Sequence, residues 1–173
     1  LGMALYDALQ TFQMRNDHSS ALKYGELAVQ YLSAADPQRS PATEYLLGRL
    51  YFRLGAVYSL RQKDHRSAVA WFDKAVPLLE KPLPPEAAAD IGRHGETFVS
   101  MGVSYWEIGK REKALALTRR GVELMEQAVR QGTTDTTALA VPYGNLSAMH
   151  RQLGAAAEAD KYQALAARAR TTR

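Results

Sequence analysis

Apolar positions along this chain follow the three-to-four-residue period of a helix rather than the alternation of a strand. Leu5, Ala8, Leu9 and Phe12 share one face of a predicted helix, and the same spacing recurs toward the C-terminus. Short polar segments interrupt the pattern, among them residues 16–20 and 63–67. The pattern therefore predicts an all-α protein whose helices are joined by short turns.

Small residues recur along the chain at a near-constant interval. Four alanines lie 47, 46 and 45 residues apart: Ala21, Ala68, Ala114 and Ala159. Each is followed seven residues later by a second small residue, namely Ala28, Ala75, Gly121 and Ala166. Small residues are needed where two helices cross closely, and a period of this length indicates stacked helix pairs. We predict one domain, residues 1–173, with approximate repeats 1–36, 37–82, 83–131 and 132–173.

The two middle repeats share an order of aromatic and small residues. In the second repeat the order is Tyr51, Leu54-Gly55, Tyr58, Ala68, Phe72 and Ala75. In the third it is Phe98, Met101-Gly102, Tyr105, Gly109, Ala114 and Gly121. This order resembles the tetratricopeptide repeat family, in a long-period variant. The resemblance implies a right-handed α-solenoid of about four antiparallel helix pairs that acts as a protein-interaction scaffold and binds a peptide or protein in its concave groove.

The chain departs from the family pattern in three ways. Its period exceeds the usual repeat of about 34 residues, which we interpret as first helices of roughly 20 residues or more. Thr118 stands where the family has an aromatic residue, and the second pair has one additional turn residue. Pro77 and Pro142 are expected to kink or shorten the helices that contain them, because proline lacks the amide of a helical hydrogen bond.

The resemblance also implies which residues face the groove. The predicted partner-binding set comprises Tyr6, Gln10, Gln13, Arg49, Phe52, Ser59, Glu96, Val99, Val103, Trp106, Glu107, Arg151 and Gln152. The same register adds Met14, Ala56, Leu60, Val141, Gly144 and Ala148. For Phe52 and Trp106, packing between adjacent first helices is an equally good interpretation.

Composition and charge narrow the function classes. The chain lacks cysteine, which excludes disulfides, thiolate zinc sites and cysteine nucleophiles. Its net charge of +4 is spread among alternating acids and bases, except at Arg168, Arg170 and Arg173, so we do not expect nucleic acid as a partner. No apolar run approaches the ~18 residues of a membrane helix, and the N-terminus has no signal-peptide pattern. We therefore expect no membrane partner and a cytoplasmic location.

Motifs that carry chemistry are absent from the sequence. It contains no glycine-rich phosphate loop, no HExxH and no GxSxG. Asp17-His18 and Asp64-His65 lie in equivalent turns, where an aspartate ordinarily caps the following helix. We predict no catalytic residue, no metal, no cofactor and no enzymatic activity.

The C-terminal helix, from about residue 155 to residue 170, supports a second interpretation. Tyr162, Leu165 and Ala169 form an apolar stripe with no following repeat to cover it, so a homo-oligomer could form through this helix. The alternative function is accordingly a self-assembly or regulatory module of a larger signalling protein. The sequence begins at Leu1 rather than methionine, so we expect it to be a fragment of a longer polypeptide.

Overall fold

The computed structural model describes residues 2–35 and 40–171, and these residues form eight α-helices and no strand. The helices are α1 (Gly2–Met14), α2 (His18–Ala35), α3 (Pro41–Val57), α4 (His65–Leu79), α5 (Ile91–Glu107), α6 (Arg111–Arg130), α7 (Ala140–Gln152) and α8 (Ala156–Thr171). The prediction of an all-α fold made of four helix pairs is confirmed. The predicted repeat boundary at residues 36 and 37 lies outside the described residues.

The chain divides into two compact units, Leu1–Ala88 and Ala89–Arg173, which we call unit 1 and unit 2. Unit 1 contains the pairs α1–α2 and α3–α4, and unit 2 contains α5–α6 and α7–α8. Each unit has an apolar core of its own. The core of unit 1 includes Tyr6, Leu9, Ala28, Leu50 and Leu54. The core of unit 2 includes Val99, Val122, Met125, Leu139, Ala140, Tyr143, Leu146, Ala166 and Ala169.

A glycine opposite a larger residue lets the helices of a pair approach closely. In α3–α4 a Cβ on Gly55 would clash with the ring of Phe72, and in α1–α2 a Cβ on Gly25 would clash with Leu9. Gly55 and Leu9 hold equivalent positions on the two first helices, so the large and small residues have exchanged sides. This exchange keeps the crossing filled, because the summed volume changes little.

Thr118 takes the place of Phe72 in the third pair. Its side chain is fully buried against Gly102, and its Oγ1 donates a hydrogen bond of 2.8 Å to the carbonyl oxygen of Ala114. A buried hydroxyl needs such a partner, and the backbone carbonyl one helical turn earlier supplies it. The departure from the aromatic pattern thus brings a smaller side chain into the crossing of α5 with α6.

The backbones of α5 and α6 approach closely at Gly95 and Gly121. A Cβ built on Gly121 would lie 2.6 Å from the carbonyl oxygen of Gly95 and 2.9 Å from the amide nitrogen of Val99. Backbone atoms cannot rotate away as a side chain can. Gly121 is the second small residue of the third repeat. The recurring small residues in the sequence therefore mark the point where the two helices approach.

The turns within the four pairs share one geometry, and only the turn of the second pair is longer, by one residue. Each passes through a residue in the left-handed region with φ between 50° and 82°: Asn16, Lys63, Gly109 and Gly154. In the third pair the Lys110 amide donates to the Tyr105 carbonyl, five residues back, at 2.9 Å. In the second pair the Asp64 amide donates to the Tyr58 carbonyl, six residues back, at 3.1 Å. The additional turn residue is therefore accommodated by a π-helical turn over Tyr58–Gln62.

The two aspartate–histidine turns are helix caps, as predicted. Asp17 Oδ1 accepts from the Ser20 amide at 3.0 Å, and Asp64 Oδ1 accepts from the Ser67 amide at 3.0 Å. Hydrogen bonds from the serine side chains and amides lower the pKa of both carboxyl groups. Each aspartate thus satisfies an amide that the first helical turn leaves without a partner.

The long period is not explained by longer first helices alone, so that interpretation is wrong for unit 2. Helix α5 has 17 residues and α7 has 13, and each is preceded by a 3-10 turn, Pro85–Asp90 and Thr136–Leu139 respectively. The Asp135 side chain accepts from the Thr137 amide at 2.7 Å and begins the second of these turns. Pro142 lies in the first turn of α7, where a missing amide costs nothing, and α4 ends two residues after Pro77.

The apolar stripe of α8 packs inside unit 2. The ring of Tyr162 stacks on His150 with centroids 5.6 Å apart and lies 6.2 Å from the Tyr143 ring. Leu165 packs against the core, and Ala169 is buried within it. The residues expected to mediate self-association therefore already hold α8 to its own unit.

His150 connects three helices of unit 2. It is 4% exposed, its Nε2 lies 3.2 Å from the Arg119 guanidinium on α6, and its ring stacks on Tyr162 of α8. Burial lowers the pKa of His150 and the charge of Arg119 lowers it further, while Glu158 and Lys161 oppose each other. The fold therefore favours the neutral imidazole, which can accept a hydrogen bond from Arg119, more than water does.

We predict that Gly121→Ala destabilises the protein and that Gly144→Ala does not. A Cβ at Gly121 meets backbone atoms of α5, which we expect to cost roughly 1–3 kcal/mol in the free energy of unfolding. Gly144 lies in α7 with nothing within 4 Å of its added Cβ, so alanine should raise stability by up to about 1 kcal/mol. Urea denaturation followed by circular dichroism measures both. Equal midpoints for the two variants would contradict the close approach at Gly121.

We also predict that the protein loses stability as the pH falls below about 6.5, the ordinary pKa of histidine. The unfolded chain protonates His150 at a higher pH than the folded chain, so acid favours the unfolded state in this range. His150→Gln keeps an acceptor for Arg119 but does not titrate. Thermal melts at a series of pH values should show a smaller decline for this variant. An unchanged pH profile would show that His150 does not contribute.

Candidate functional site

An open cleft of about 500 Å³ lies between α1 and α3 in unit 1. We call it the α1–α3 cleft. Its described lining residues are Gln10, Gln13, Met14, His18, Phe52, Arg53, Ala56, Val57 and Leu60. Helices α1 and α3 are the first helices of successive pairs, and most of the lining residues lie on them. A volume of this size lies within the range of ligand-binding clefts in proteins.

Arg53 organises the polar edge of this cleft. Its Nε donates to the Tyr6 hydroxyl at 2.9 Å, and its Nη1 donates to the Gln13 side-chain oxygen at 3.1 Å. The Gln13 side-chain amide in turn donates to the Arg53 carbonyl oxygen at 3.2 Å. The guanidinium also lies 5.4 Å from the centre of the Tyr6 ring. These contacts fix the position of Arg53 while leaving some of its donors for other partners.

Arg53 and Arg49 place positive charge around the phenol of Tyr6, beside the cleft. Burial alone raises the pKa of this phenol, but the charge and hydrogen bond of Arg53 and the charge of Arg49 together lower it below its ordinary value. The opposing effects leave a net fall because a nearby cation stabilises the phenolate. The α1–α3 cleft is thus bordered by positive charge.

The apolar part of the cleft exposes large side chains at its rim. Met14 on α1 is 84% exposed, and Leu60 in the π-helical turn is 76% exposed. Phe52 is half-buried, with its ring stacked on Phe72 at 5.8 Å between centroids. Exposed apolar side chains beside a concave surface are typical of a surface that binds a partner.

A second cleft, of about 350 Å³, lies in unit 2 beside α5 and the start of α7. We call it the α5–α7 cleft. Its described lining residues are Glu96, Val99, Ser100, Met125, Ala138, Val141 and Pro142. Val141 is 68% exposed, whereas Val99 is 7% exposed and belongs to the core. The cleft is thus an apolar depression with Glu96 and Ser100 as its polar groups.

Trp106 and Gln152 lie together at the other ends of α5 and α7. The Trp106 indole donates to the Gln152 side-chain oxygen at 3.2 Å, and the Arg111 guanidinium lies 4.1 Å from its ring. Trp106 is 7% exposed, so most of its ring is used for packing within unit 2. Of the two interpretations left open by the sequence, the contacts of Trp106 favour packing.

The predicted groove residues fall into three groups. Gln10, Gln13 and Phe52 line the α1–α3 cleft, and Glu96 and Val99 line the α5–α7 cleft. Tyr6 and Arg49 are buried beside the first cleft, and Ser59 donates to the Ala56 carbonyl oxygen at 3.4 Å. The remaining residues lie elsewhere on α5 and α7: Val103 is half-buried, Glu107 is exposed, and Arg151 pairs with Asp160 at 3.3 Å.

The groove residues predicted from the family's helical register did not include Arg53, His18 and Val57. These three residues also line the α1–α3 cleft. Arg53 follows Phe52 directly and therefore does not share its helical face, so the family pattern excluded it. Its contacts with Tyr6 and Gln13 carry its side chain to the cleft. The signal available in the sequence was an arginine beside an aromatic residue on a first helix, which by itself does not specify a site.

The described residues show no arrangement for metal chemistry. No three side chains of His, Cys, Asp or Glu among them come together closely enough to hold a metal ion. In the described part of the chain, moreover, no helix is both long and apolar enough to cross a membrane.

The fold and the clefts define a helical-repeat protein. Residues 48–78 match the family model described as tetratricopeptide repeat. The matched segment begins in α3 and ends in α4, so it covers most of the second helix pair. The chain thus carries a tetratricopeptide repeat, and the resemblance stated from its sequence is confirmed.

One solved structure supports the fold over nearly the whole chain. The crystal structure of BtubC (BKLC) from P. vanneervenii is similar with a TM-score of 0.72 at 16% identity, over 94% of this chain and 60% of that one. This chain therefore spans about three-fifths of that protein. The crystal structure of the MamA protein is similar with a TM-score of 0.48 at 13% identity, over 97% of this chain and 91% of that one. No curated protein matches the chain.

Proposed function

We propose that this protein is an interaction scaffold that binds a peptide or an extended segment of a protein in the α1–α3 cleft. The observation that carries the proposal is the convergence of Gln10, Gln13 and Phe52 on one open cleft, with Met14 and Leu60 exposed at its rim. The tetratricopeptide repeat at residues 48–78 supports a protein-interaction role in general.

The lining of the α1–α3 cleft suits a peptide better than a small metabolite. Apolar side chains offer contact area, and the amides of Gln10 and Gln13 and the guanidinium of Arg53 lie beside them as polar groups. Protein interfaces combine such an apolar centre with a polar rim, and aromatic and arginine residues often contribute most of the binding energy.

The α5–α7 cleft is a second contact surface in the proposal. Val141 is exposed there beside the carboxylate of Glu96 and the hydroxyl of Ser100. Its chemistry differs from that of the first cleft, because an acid rather than an arginine provides the charge. The two clefts are therefore expected to bind chemically different side chains of a partner.

The contacts of α8 do not favour the alternative of self-assembly through the last helix. Tyr162 and Leu165 pack against the core of unit 2. The exposed residues of α8 are mostly alanines and charged side chains, including Lys161, Arg168 and Arg170. Such a surface can end a helical-repeat stack in water without a covering partner.

Binding should depend on the exposed rim of the α1–α3 cleft. We expect Leu60→Ser to weaken binding at least roughly fivefold, since an anchoring contact is commonly worth about 1 kcal/mol or more. Leu60 is 76% exposed, so the variant should keep its fold. The probes are short peptides selected from a displayed random library on the wild-type chain, with affinities measured by fluorescence polarisation.

The matched control is Leu153→Ser, which alters another exposed leucine, in unit 2 and outside both clefts. It should bind the same peptides within about twofold of wild type, because a surface leucine away from the interface contributes little. Phe52→Ala extends the test to the half-buried part of the cleft, with thermal melts as the folding control. The proposal is wrong if the Leu60 and Leu153 variants bind equally, or if the library yields no peptide.

A further inference from the structure

We propose that the α1–α3 cleft selects a protein segment in which an aspartate or glutamate lies beside a large apolar residue, and that Arg53 binds the carboxylate. The proposal rests on the proposed function, because it assumes that this cleft holds a partner. It goes further by stating the chemistry of that partner and by assigning specificity to a residue outside the predicted groove set.

The internal partners of Arg53 leave its charge uncompensated. Its guanidinium donates to the hydroxyl of Tyr6 and to the amide oxygen of Gln13, both neutral groups. The ion pairs found among the described residues do not include Arg53, whereas Lys81 of the same unit pairs with Glu44 at 2.7 Å. A half-buried guanidinium is stabilised by an anion, and a ligand carboxylate placed in the cleft would supply one.

The charge of Arg49 adds to that of Arg53 beside the phenol of Tyr6. The charges of Arg53 and Arg49 lower the pKa of its phenol despite the opposing effect of burial. The same charges would favour any anion brought to the edge of the cleft. Charge complementarity therefore favours an acidic partner over a neutral or basic one.

Arg53 is also held in a fixed orientation. Gln13 accepts from Nη1 and donates to the backbone carbonyl of Arg53, so one side chain joins α1 to α3 at two points. Tyr6 holds Nε from the other side at 2.9 Å. A positioned guanidinium loses less entropy on binding and can present its remaining donors to both oxygens of a carboxylate.

The apolar lining determines what accompanies the carboxylate. Phe52 precedes Arg53 on α3, and Leu60 follows in the π-helical turn. A side chain such as leucine, methionine or phenylalanine can contact these residues while a neighbouring acid reaches Arg53. The cleft would thus bind the carboxylate and the neighbouring apolar side chain of one short segment at the same time.

A polyanion fits the α1–α3 cleft less well than a single carboxylate. Among its described lining residues Arg53 is the only arginine or lysine, whereas nucleic acids and anionic membranes are held by several cations acting together. The apolar rim at Met14 and Leu60 would gain nothing from a phosphate backbone. The observations therefore favour a peptide segment.

Selection from a random peptide library on four forms of the chain tests the proposal. The forms are wild type, Arg53→Gln, Arg53→Glu and the control Arg66→Gln, which removes an exposed arginine of α4 outside the cleft. Wild type and the control should enrich peptides with Asp or Glu beside a large apolar residue. Arg53→Gln should keep the apolar preference and lose the acidic one, and Arg53→Glu should favour Lys or Arg at that position.

Matched peptides make the test quantitative. A selected peptide and its copy with Glu replaced by Gln should differ about tenfold in affinity for wild type, the size expected of a charge-assisted hydrogen bond, and hardly at all for Arg53→Gln. Raising the salt concentration should narrow the wild-type difference. Thermal melts establish that the variants are folded.

The outcomes separate this proposal from the function on which it rests. Selected peptides that depend on Leu60 but show no acidic preference, or the same preference with Arg53→Gln, overturn the role of Arg53 and leave the scaffold intact. Tight binding of single-stranded nucleic acid that Arg53→Gln removes also overturns it, because the anion would then be phosphate. A library that yields no peptide contradicts the proposed function itself.

Discussion

The close crossing of the two helices in each pair is the constraint on which the rest of the structure depends. At Gly121 the backbone of α6 meets the carbonyl oxygen of Gly95 so closely that a single methyl group does not fit. Where the first helix carries the larger residue, as at Leu9, the second carries glycine at Gly25. The volume of the crossing is therefore shared between the helices, and either one can supply it. This explains why individual aromatic positions vary while the small residues recur.

The clefts follow from these crossings. Small and aromatic residues hold each pair together, and first-helix residues beside these contacts line the clefts. Phe52 and Phe72 illustrate the connection in unit 1, since Phe72 packs on Gly55 and also supports the ring of Phe52 at the cleft. The residues that pack the helix pair therefore lie directly beside the residues that line the cleft.

The polar side chains of the protein have three different roles: capping helices, connecting helices and carrying a charge at the cleft. The aspartates of the turns, Asp17 and Asp64, cap helices and are satisfied by local serines. His150 contacts Arg119 and Tyr162 and so connects three helices of unit 2. Arg53 differs from both, because its partners position it without neutralising its charge. A group that is positioned and uncompensated is the one from which a binding role is inferred.

The amino-acid sequence by itself determined the helices, their pairing and the close crossings, because these depend on local periodicity and on residue size at a fixed interval. It also predicted a shared helical register for Gln10, Gln13 and Phe52, and these three residues line the α1–α3 cleft. Only the tertiary structure decided that Arg53 lies at the cleft, that Trp106 is packed against Gln152, and that Tyr162 and Leu165 are covered by their own unit. Each of these depends on side-chain contacts between helices separated in the chain, which no register specifies.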